Sequence, residues 1–198
     1  MKIIGITGQS GSGKGYLSKE FEKLGYTHAD ADKIYHGLLD SSKELRNELI
    51  GTFGKDIEVC GKIDRKALGK KVFGKKNARK LVKLNKIAHK YVCREYVKLI
   101  ISLKEQNAKG LIIDAPLLIE ARLDKLCDIN IFVNCEDSIK IERIMNRDSI
   151  SRDAALLRLS SQKPLSFYQN NCNCSFINNT GADAAAYAAK IDRLLHGE

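Results

Sequence analysis

The chain has 198 residues, of which 43% are hydrophobic, and its formal net charge is +10. This length is enough to bury a core, and it suits one α/β domain with insertions better than two independent domains. The sequence contains neither a long apolar span nor a signal-peptide core, which argues against a membrane-spanning or secreted protein. We therefore expect a soluble protein of the cytoplasm.

The cysteines and the positive charge further limit which kind of protein this can be. Six cysteines are scattered without the paired spacing of a zinc site, and we interpret them as reduced structural thiols. Residues 62–98 contain fourteen Lys and Arg but only two acidic residues. This segment could bind nucleic acid, attract a small polyanionic substrate, or form the solvated face of a helix. We expect no specific nucleic-acid partner.

Apolar segments rich in β-branched residues predict five buried strands, with amphipathic helical patterns between them. Residues 17–24 form one such helical pattern, closed by Gly25, and residues 45–53 form another, closed by Gly54. Alternating strands and helices predict an α/β fold with a five-stranded parallel sheet, whose ligands bind beyond the carboxyl ends of the strands. The predicted strands are residues 2–7, 26–31, 110–114, 129–133 and 175–178.

A glycine-rich segment, GQSGSGKG at residues 8–15, lies between the first predicted strand and the first predicted helix. We call it the phosphate loop, because its glycines let an oxyanion approach backbone amides and the following helix adds its N-terminal donors. Lys14 would reach the terminal phosphates of a nucleotide. Gly15 stands where such motifs have a Ser or Thr whose hydroxyl binds Mg²⁺, so one metal ligand is missing. We interpret Ser18 as a helix-surface residue rather than a replacement.

Two carboxylates are predicted at the ends of strands. The alternation of a strand places Asp30 and Asp32 on one side, and we choose Asp32 as the acceptor near an attacking hydroxyl. The alternative is that either residue caps the next helix. Asp114 ends an apolar strand, which indicates a residue that holds Mg²⁺ or a water of its shell. Its alternative role is a bond to the turn backbone only.

Residues 138–148 predict a helix with a basic stripe. Arg143 and Arg147 could neutralise charge on a transferred phosphate, or the stripe could be a salt-bridged surface. We favour a function for Arg147 and a surface position for Lys140. Residues 34–108 are too long for one crossover, so we expect a mostly helical insert that holds substrate.

Together these residues resemble the dephospho-coenzyme A kinase family over nearly the whole chain. Besides the phosphate loop, the shared motifs are DAD at 30–32, IDRKALG at 63–69, IAH at 87–89, DAPLLIE at 114–120 and FINNTG at 176–181. The resemblance implies a P-loop kinase, similar to nucleoside monophosphate kinases, that transfers the γ-phosphate of ATP to the ribose 3′-hydroxyl of dephospho-CoA with Mg²⁺.

The resemblance also implies a domain plan for residues 1–198. The core is expected at about 1–33, 109–136 and 162–198, the helical coenzyme-A-binding insert at about 34–108, and a lid at about 137–161. The protein is expected to be a monomer or a small homo-oligomer. Another small-molecule P-loop kinase and a non-catalytic nucleotide-binding protein are the alternatives, the second because of Gly15.

The site residues follow from the same resemblance. His36 departs from the family, which has an Arg at this point, and an imidazole is a poorer phosphate clamp than a guanidinium. The catalytic residues are expected to be Asp32, Lys14, Arg143 and Arg147. The nucleotide-binding residues are expected to be Gly8, Gly11, Ser12, Gly13, Lys14, Gly15 and Tyr16. Substrate is expected to contact Asp32, His36, Arg65, His89, Asp114 and Leu117.

Overall fold

A computed structural model describes residues 1–197, so Glu198, the last residue of the expected core, lies outside the described residues. The chain divides into two compact units. One, the sheet unit, comprises Met1–Asp30 and Leu103–Glu198, and the other, the helical unit, comprises Ala31–Ser102. Among residues 1–197, no helix is both long and apolar enough to cross a membrane.

The strands and helices are numbered in chain order. The strands are β1 (Lys2–Thr7), β2 (Tyr26–Asp30), β3 (Glu58–Val59), β4 (Lys62–Ile63), β5 (Gly110–Asp114), β6 (Ile129–Asn134) and β7 (Cys174–Ile177). The α-helices are α1 (Lys14–Lys23), α2 (Ala31–Ser41), α3 (Lys43–Phe53), α4 (Arg65–Val72), α5 (Ala78–Glu105), α6 (Asp137–Asp148), α7 (Arg152–Ser160), α8 (Leu165–Asn171) and α9 (Ala184–His196).

The sheet unit is built on the parallel sheet that the sequence predicts, and this prediction is confirmed. Five strands pair in the order β2-β5-β1-β6-β7, all parallel. β1 lies at the centre, with Ile6 opposite Asp114 of β5 and Thr7 opposite Phe132 of β6. The carboxyl end of β1, where the phosphate loop begins, is therefore flanked by the carboxyl ends of two other strands.

Apolar side chains of the strands and helices explain this arrangement. Ile4 and Ile6 of β1 and Leu17 and Phe21 of α1 have no exposed surface. Full burial of a side chain of this size stabilises the fold by about 1.5–3 kcal/mol. Ala188 of α9 belongs to the same core cluster. α1 thus lies against the sheet through its i, i+4 apolar face, and its N-terminus is held beside the end of β1.

The helical unit has a core of its own. Leu45 and Leu49 of α3 have no exposed surface, and Phe53 is also buried in this cluster. β3 and β4 form a two-residue antiparallel pair that the sequence analysis does not predict, because each strand is too short for a pattern to register. The Asp64 carboxylate accepts hydrogen bonds from the Lys66 and Ala67 amides, at 2.8 and 3.1 Å, and so caps α4.

Candidate active site

The phosphate loop joins β1 to α1 through a backbone that favours glycine, as two of its positions illustrate. Gly11 and Gly13 have φ angles of 78° and 87°, in the left-handed region. Gly13 occupies the N-cap of α1 and supplies no side-chain cap, and the first turn of α1 has no acidic residue. Amide donors and the positive end of the helix dipole are therefore available to an anion at this point.

Lys14 is the first residue of α1, and its side chain turns back over the phosphate loop. Its Nζ donates a hydrogen bond to the carbonyl oxygen of Gly8, at 3.1 Å. This contact holds the ammonium beside the backbone that would cradle a phosphate. From this position Lys14 could act as a point charge toward an oxyanion, and that role remains a prediction.

Arg143 of α6 contacts the backbone of the phosphate loop. Its Nη1 donates to the carbonyl oxygens of Gly11 and Ser12, at 3.3 and 3.4 Å, and its Nη2 donates to that of Asn178, at 3.4 Å. Asn178, which is 4% exposed, donates from Nδ2 to the same Ser12 oxygen at 2.9 Å. Arg143 therefore supports the loop in this structure. Asn178 lies in the FINNTG motif, but its role could not be derived from the sequence, because its partner Ser12 is 166 residues away along the chain.

Lys140 is the clearest difference between expectation and structure on α6. The prediction of a surface position is wrong, since Lys140 has no exposed surface. Its Nζ donates to Gln9 Oε1 at 2.7 Å and to Asp137 Oδ1 at 3.0 Å. These bonds satisfy the buried ammonium, and they tie α6 to the first half of the phosphate loop. Helical spacing alone could not reveal this partner.

Arg147, at the end of α6, combines a loop contact with an ion-pair network. Its Nη2 donates to Ser10 Oγ at 3.3 Å and to Asp148 Oδ2 at 2.9 Å. Arg158 of α7 bonds the same Asp148 oxygen. Hydrogen bonding from Arg147, reinforced by Arg158, lowers the pKa of Asp148 to about 2. The guanidinium that the sequence predicts to be functional is thus held at the rim of the phosphate loop.

Asp114 lies at the end of β5, opposite Ile6 of β1 and Asp30 of β2 in the strand register. Its Oδ2 accepts a hydrogen bond from Ser18 Oγ at 3.1 Å. The interpretation of Ser18 as a surface residue is therefore wrong, because Ser18 has no exposed surface. A strand-end carboxylate beside a phosphate loop has the chemistry to hold Mg²⁺ through oxygen or water.

His28 of β2 is a second neighbour of Asp114 that the sequence analysis does not identify. Its Nε2 lies 3.4 Å from Asp114 Oδ2, and its Nδ1 lies 3.4 Å from Glu22 Oε1. Hydrogen bonding to Asp114 raises the pKa of His28 above its usual 6.5, while burial opposes the shift. The Asp114 carboxylate therefore has polar neighbours from both α1 and β2.

The helical unit contains the other expected site residues. Arg65 Nη1 lies 3.1 Å from His36 Nδ1, and Arg65 Nη2 lies 3.4 Å from the Asp40 carboxylate. Because arginine can only donate, Nδ1 must accept, which leaves the His36 proton on Nε2. His89 is half-buried on α5, and this burial lowers its pKa.

Asp32 differs from expectation in its local structure. β2 ends at Asp30, and α2 begins at Ala31, so Asp32 lies in the first turn of a helix rather than at the end of a strand. Asp32 therefore does not share the side of a strand with Asp30, as strand alternation predicted. Tyr16 and Leu117, expected to bind nucleotide and substrate, are 47% and 38% exposed.

The parallel sheet, the phosphate loop at its central strand and Lys14 at the head of α1 define a P-loop kinase. The family model described as dephospho-CoA kinase matches residues 2–183. The chain belongs to the dephospho-CoA kinase family, as the motifs of the sequence indicate. Enzymes of this family use ATP to phosphorylate dephospho-CoA, which yields CoA.

Known proteins agree with this assignment. A dephospho-CoA kinase from Carboxydothermus hydrogenoformans is 39% identical over 166 residues, which cover 83% of this chain and 80% of that protein. The solved dephospho-CoA kinase of Campylobacter jejuni is 28% identical, with a TM-score of 0.68 over 100% of this chain and 99% of that one. A solved Thermus thermophilus protein, 26% identical, gives a TM-score of 0.77 over 98% and 97% of the two chains.

Proposed function

We propose that this chain transfers the γ-phosphate of ATP to the ribose 3′-hydroxyl of dephospho-CoA, with residues 8–16 binding the phosphates of the donor. The single observation that carries the proposal is the uncapped start of α1, where Gly13 is left-handed and Lys14 Nζ bonds the Gly8 carbonyl oxygen. Backbone amides and one cation together neutralise a polyphosphate without a large rearrangement. The lid at about residues 137–161 would contribute Arg143 and Arg147.

We propose Mg²⁺ as the cofactor, held by Asp114 through a water of its shell. Mg²⁺ prefers oxygen ligands, keeps several waters and neutralises charge on the phosphates of the donor. The chain fits such an ion in part. Asp114 supplies a carboxylate at the end of β5 that can accept a hydrogen bond from a metal-bound water, and its contacts with Ser18 and His28 both involve Oδ2. Gly15 supplies no hydroxyl to the shell.

We propose that the helical unit binds dephospho-CoA. Its residues 62–98 have an excess of positive charge that would attract the pyrophosphate of this substrate. His36, with its proton on Nε2, would donate one hydrogen bond to a phosphate oxygen, and Arg65 would supply the full charge that an imidazole lacks. His89 would contact the remainder of the substrate, and Leu117, which belongs to the sheet unit, is proposed separately as a substrate contact.

Asp32 is the proposed proton acceptor for the 3′-hydroxyl. Its position in the first turn of α2, two residues after the end of β2, places it on a rigid element rather than a loop. We further propose a monomer or small homo-oligomer with no specific nucleic-acid partner. We also propose a cytoplasmic location, where ATP would be available as the donor.

An acceptor-panel assay tests the proposed function. ADP release is measured with dephospho-CoA, with AMP and with no acceptor, and the phosphorylated carbon of the product is identified by ³¹P NMR. We expect release that depends on dephospho-CoA and a product phosphorylated at the 3′ position. Equal turnover with AMP, or without an acceptor, would contradict the proposal.

The role of Asp32 is tested in the same assay. Asp32→Asn should lower kcat by about 10²–10⁴-fold, the usual contribution of a general base. Glu44→Gln, which removes an exposed carboxylate of the same unit, should change kcat less than about twofold because its ion pair with Arg94 is exposed and long, at 3.9 Å. Equal kcat values for the two variants would exclude Asp32 as the base.

A further inference from the structure

Ser18 has a buried hydroxyl directed at the carboxylate proposed to hold the metal. Its Oγ lies 3.1 Å from Asp114 Oδ2 and 3.2 Å from the carbonyl oxygen of Lys14, one helical turn earlier. A hydroxyl has one proton to donate, and an ionised carboxylate is the stronger acceptor. The bond to Asp114 therefore takes precedence over the bond within the helix.

Position 15 of α1 lacks the hydroxyl that phosphate-loop motifs place there for Mg²⁺. Residues three apart on a helix lie on the same face, so Ser18 follows Gly15 along one side of α1. A Cβ at residue 15 would meet nothing within 4 Å, so the site has room for the side chain that is missing. The chain thus has a hydroxyl about one turn later in α1, at Ser18, where it contacts the Asp114 carboxylate instead of Mg²⁺.

A hydrogen bond to a metal-holding carboxylate fixes the direction of its oxygens, and loss of such an outer contact typically lowers metal affinity 10–100-fold. Ser18 and His28 both contact Oδ2 of Asp114, but only Ser18 belongs to the helix that carries the phosphate loop. Ser18 therefore links the orientation of Asp114 directly to the start of α1.

We propose that Ser18 is a positioning residue for Asp114, which compensates for the absent hydroxyl at residue 15 by holding the carboxylate in place for Mg²⁺. This inference rests on the proposed function, specifically on Mg²⁺ at Asp114. On this inference, α1 can help to hold Mg²⁺ in either of two interchangeable ways. One is a metal ligand at residue 15, and the other is a hydrogen bond from residue 18 to the carboxylate that holds the metal.

Binding without turnover tests the inference. The dissociation constant of the β,γ-imido analogue of ATP is measured by titration calorimetry, once with saturating Mg²⁺ and once with EDTA. The proteins are the wild type, Ser18→Ala, Gly15→Ser and the double variant. Thermal unfolding is recorded for each protein, and Ser18→Cys, which keeps a weaker donor on a slightly larger atom, serves as the second variant if Ser18→Ala does not fold.

We expect Ser18→Ala to weaken analogue binding about tenfold with Mg²⁺ and less than twofold with EDTA. Gly15→Ser in the Ser18→Ala background should restore the affinity with Mg²⁺ to within about threefold of the wild type. In kinetic runs, Ser18→Ala should raise the Mg²⁺ concentration for half-maximal rate by a similar factor. Ser18→Cys should fall between the wild type and Ser18→Ala.

Two results would overturn the inference about Ser18 and leave the proposed function intact. One is equal weakening with and without Mg²⁺, which indicates a purely structural role, and the other is no weakening at all. Failure of Gly15→Ser to restore binding would overturn the interchange of the two hydroxyls. If the wild type itself binds the analogue equally well with Mg²⁺ and with EDTA, the proposed metal at Asp114 fails and the inference fails with it.

Discussion

Gly11→Ala is expected to damage the phosphate loop through its backbone. Gly11 has a φ of 78°, and a Cβ there would lie 2.6 Å from the carbonyl oxygen of Lys140 and 3.0 Å from its Cα. The left-handed conformation costs an alanine about 1–2 kcal/mol, and forcing α6 away from the loop adds about 1–3 kcal/mol. Together these terms predict a loss of about 2–5 kcal/mol, or about 4–20 °C in Tm for a chain of this length.

Thermal unfolding without nucleotide measures this loss of stability. Titration calorimetry with the β,γ-imido analogue of ATP measures how tightly the phosphate loop binds nucleotide. Gly11→Ala should bind the analogue at least about tenfold more weakly, which corresponds to about 1.4 kcal/mol. Gly15→Ala is the matched control for stability, since a Cβ there meets nothing within 4 Å. It should raise Tm by about 1–4 °C, because alanine is a better helix former than glycine. A wild-type Tm for Gly11→Ala would refute the packing of the loop against α6.

Two further substitutions test contacts elsewhere in the sheet unit. Asp148 has a pKa of about 2 in the fold against an ordinary value of 3.8, so its ion pairs act fully above about pH 4 and are lost as the pH falls through 2. Asp148→Asn should therefore lower Tm at pH 7, and the difference in Tm from the wild type should disappear between pH 4 and pH 2. The control is Glu142→Gln, which removes an exposed carboxylate of α6. A difference in Tm that does not change with pH, or one equally large for Glu142→Gln, would argue against the ion-pair network of Asp148. Tyr26→Phe removes the hydrogen bond from the Tyr26 hydroxyl to Asp192 Oδ1 at 2.8 Å and should lower Tm by about 2–8 °C, from about 1–2 kcal/mol. An unchanged Tm would contradict this and would mean that Lys109 and His196 satisfy Asp192 without the tyrosine.

The sequence was sufficient to predict the sheet and the phosphate loop, because both depend on patterns within a few residues. The apolar run of β1, the glycines that follow it and the amphipathic face of α1 are all local signals. The residue at which a strand ends is harder to predict from the sequence. β2 stops at Asp30, since α2 begins directly afterwards, and this moved Asp32 from a strand to a helix.

The misassigned residues share a different cause. Ser18 and Lys140 are polar residues on helices, and helix periodicity alone places such residues at the surface. Each is buried because its partner comes from a distant part of the chain: Asp114 is 96 residues from Ser18, and Gln9 is 131 residues from Lys140. Buried polar residues of this kind become visible only when the fold brings donor and acceptor together.

The central position of β1 has a consequence for synthesis on the ribosome. β1 and the phosphate loop leave the exit tunnel before β5 and β6, with which β1 pairs, and before Asn178, whose side-chain amide bonds the Ser12 carbonyl oxygen. At translation speeds of about 5–20 residues per second, the nascent loop waits on the order of 10–30 s for its last support. Until β5 and β6 are made, the apolar β1 lacks both of its neighbouring strands, so a truncated product ending before β5 is expected to be a client of chaperones rather than a nucleotide binder.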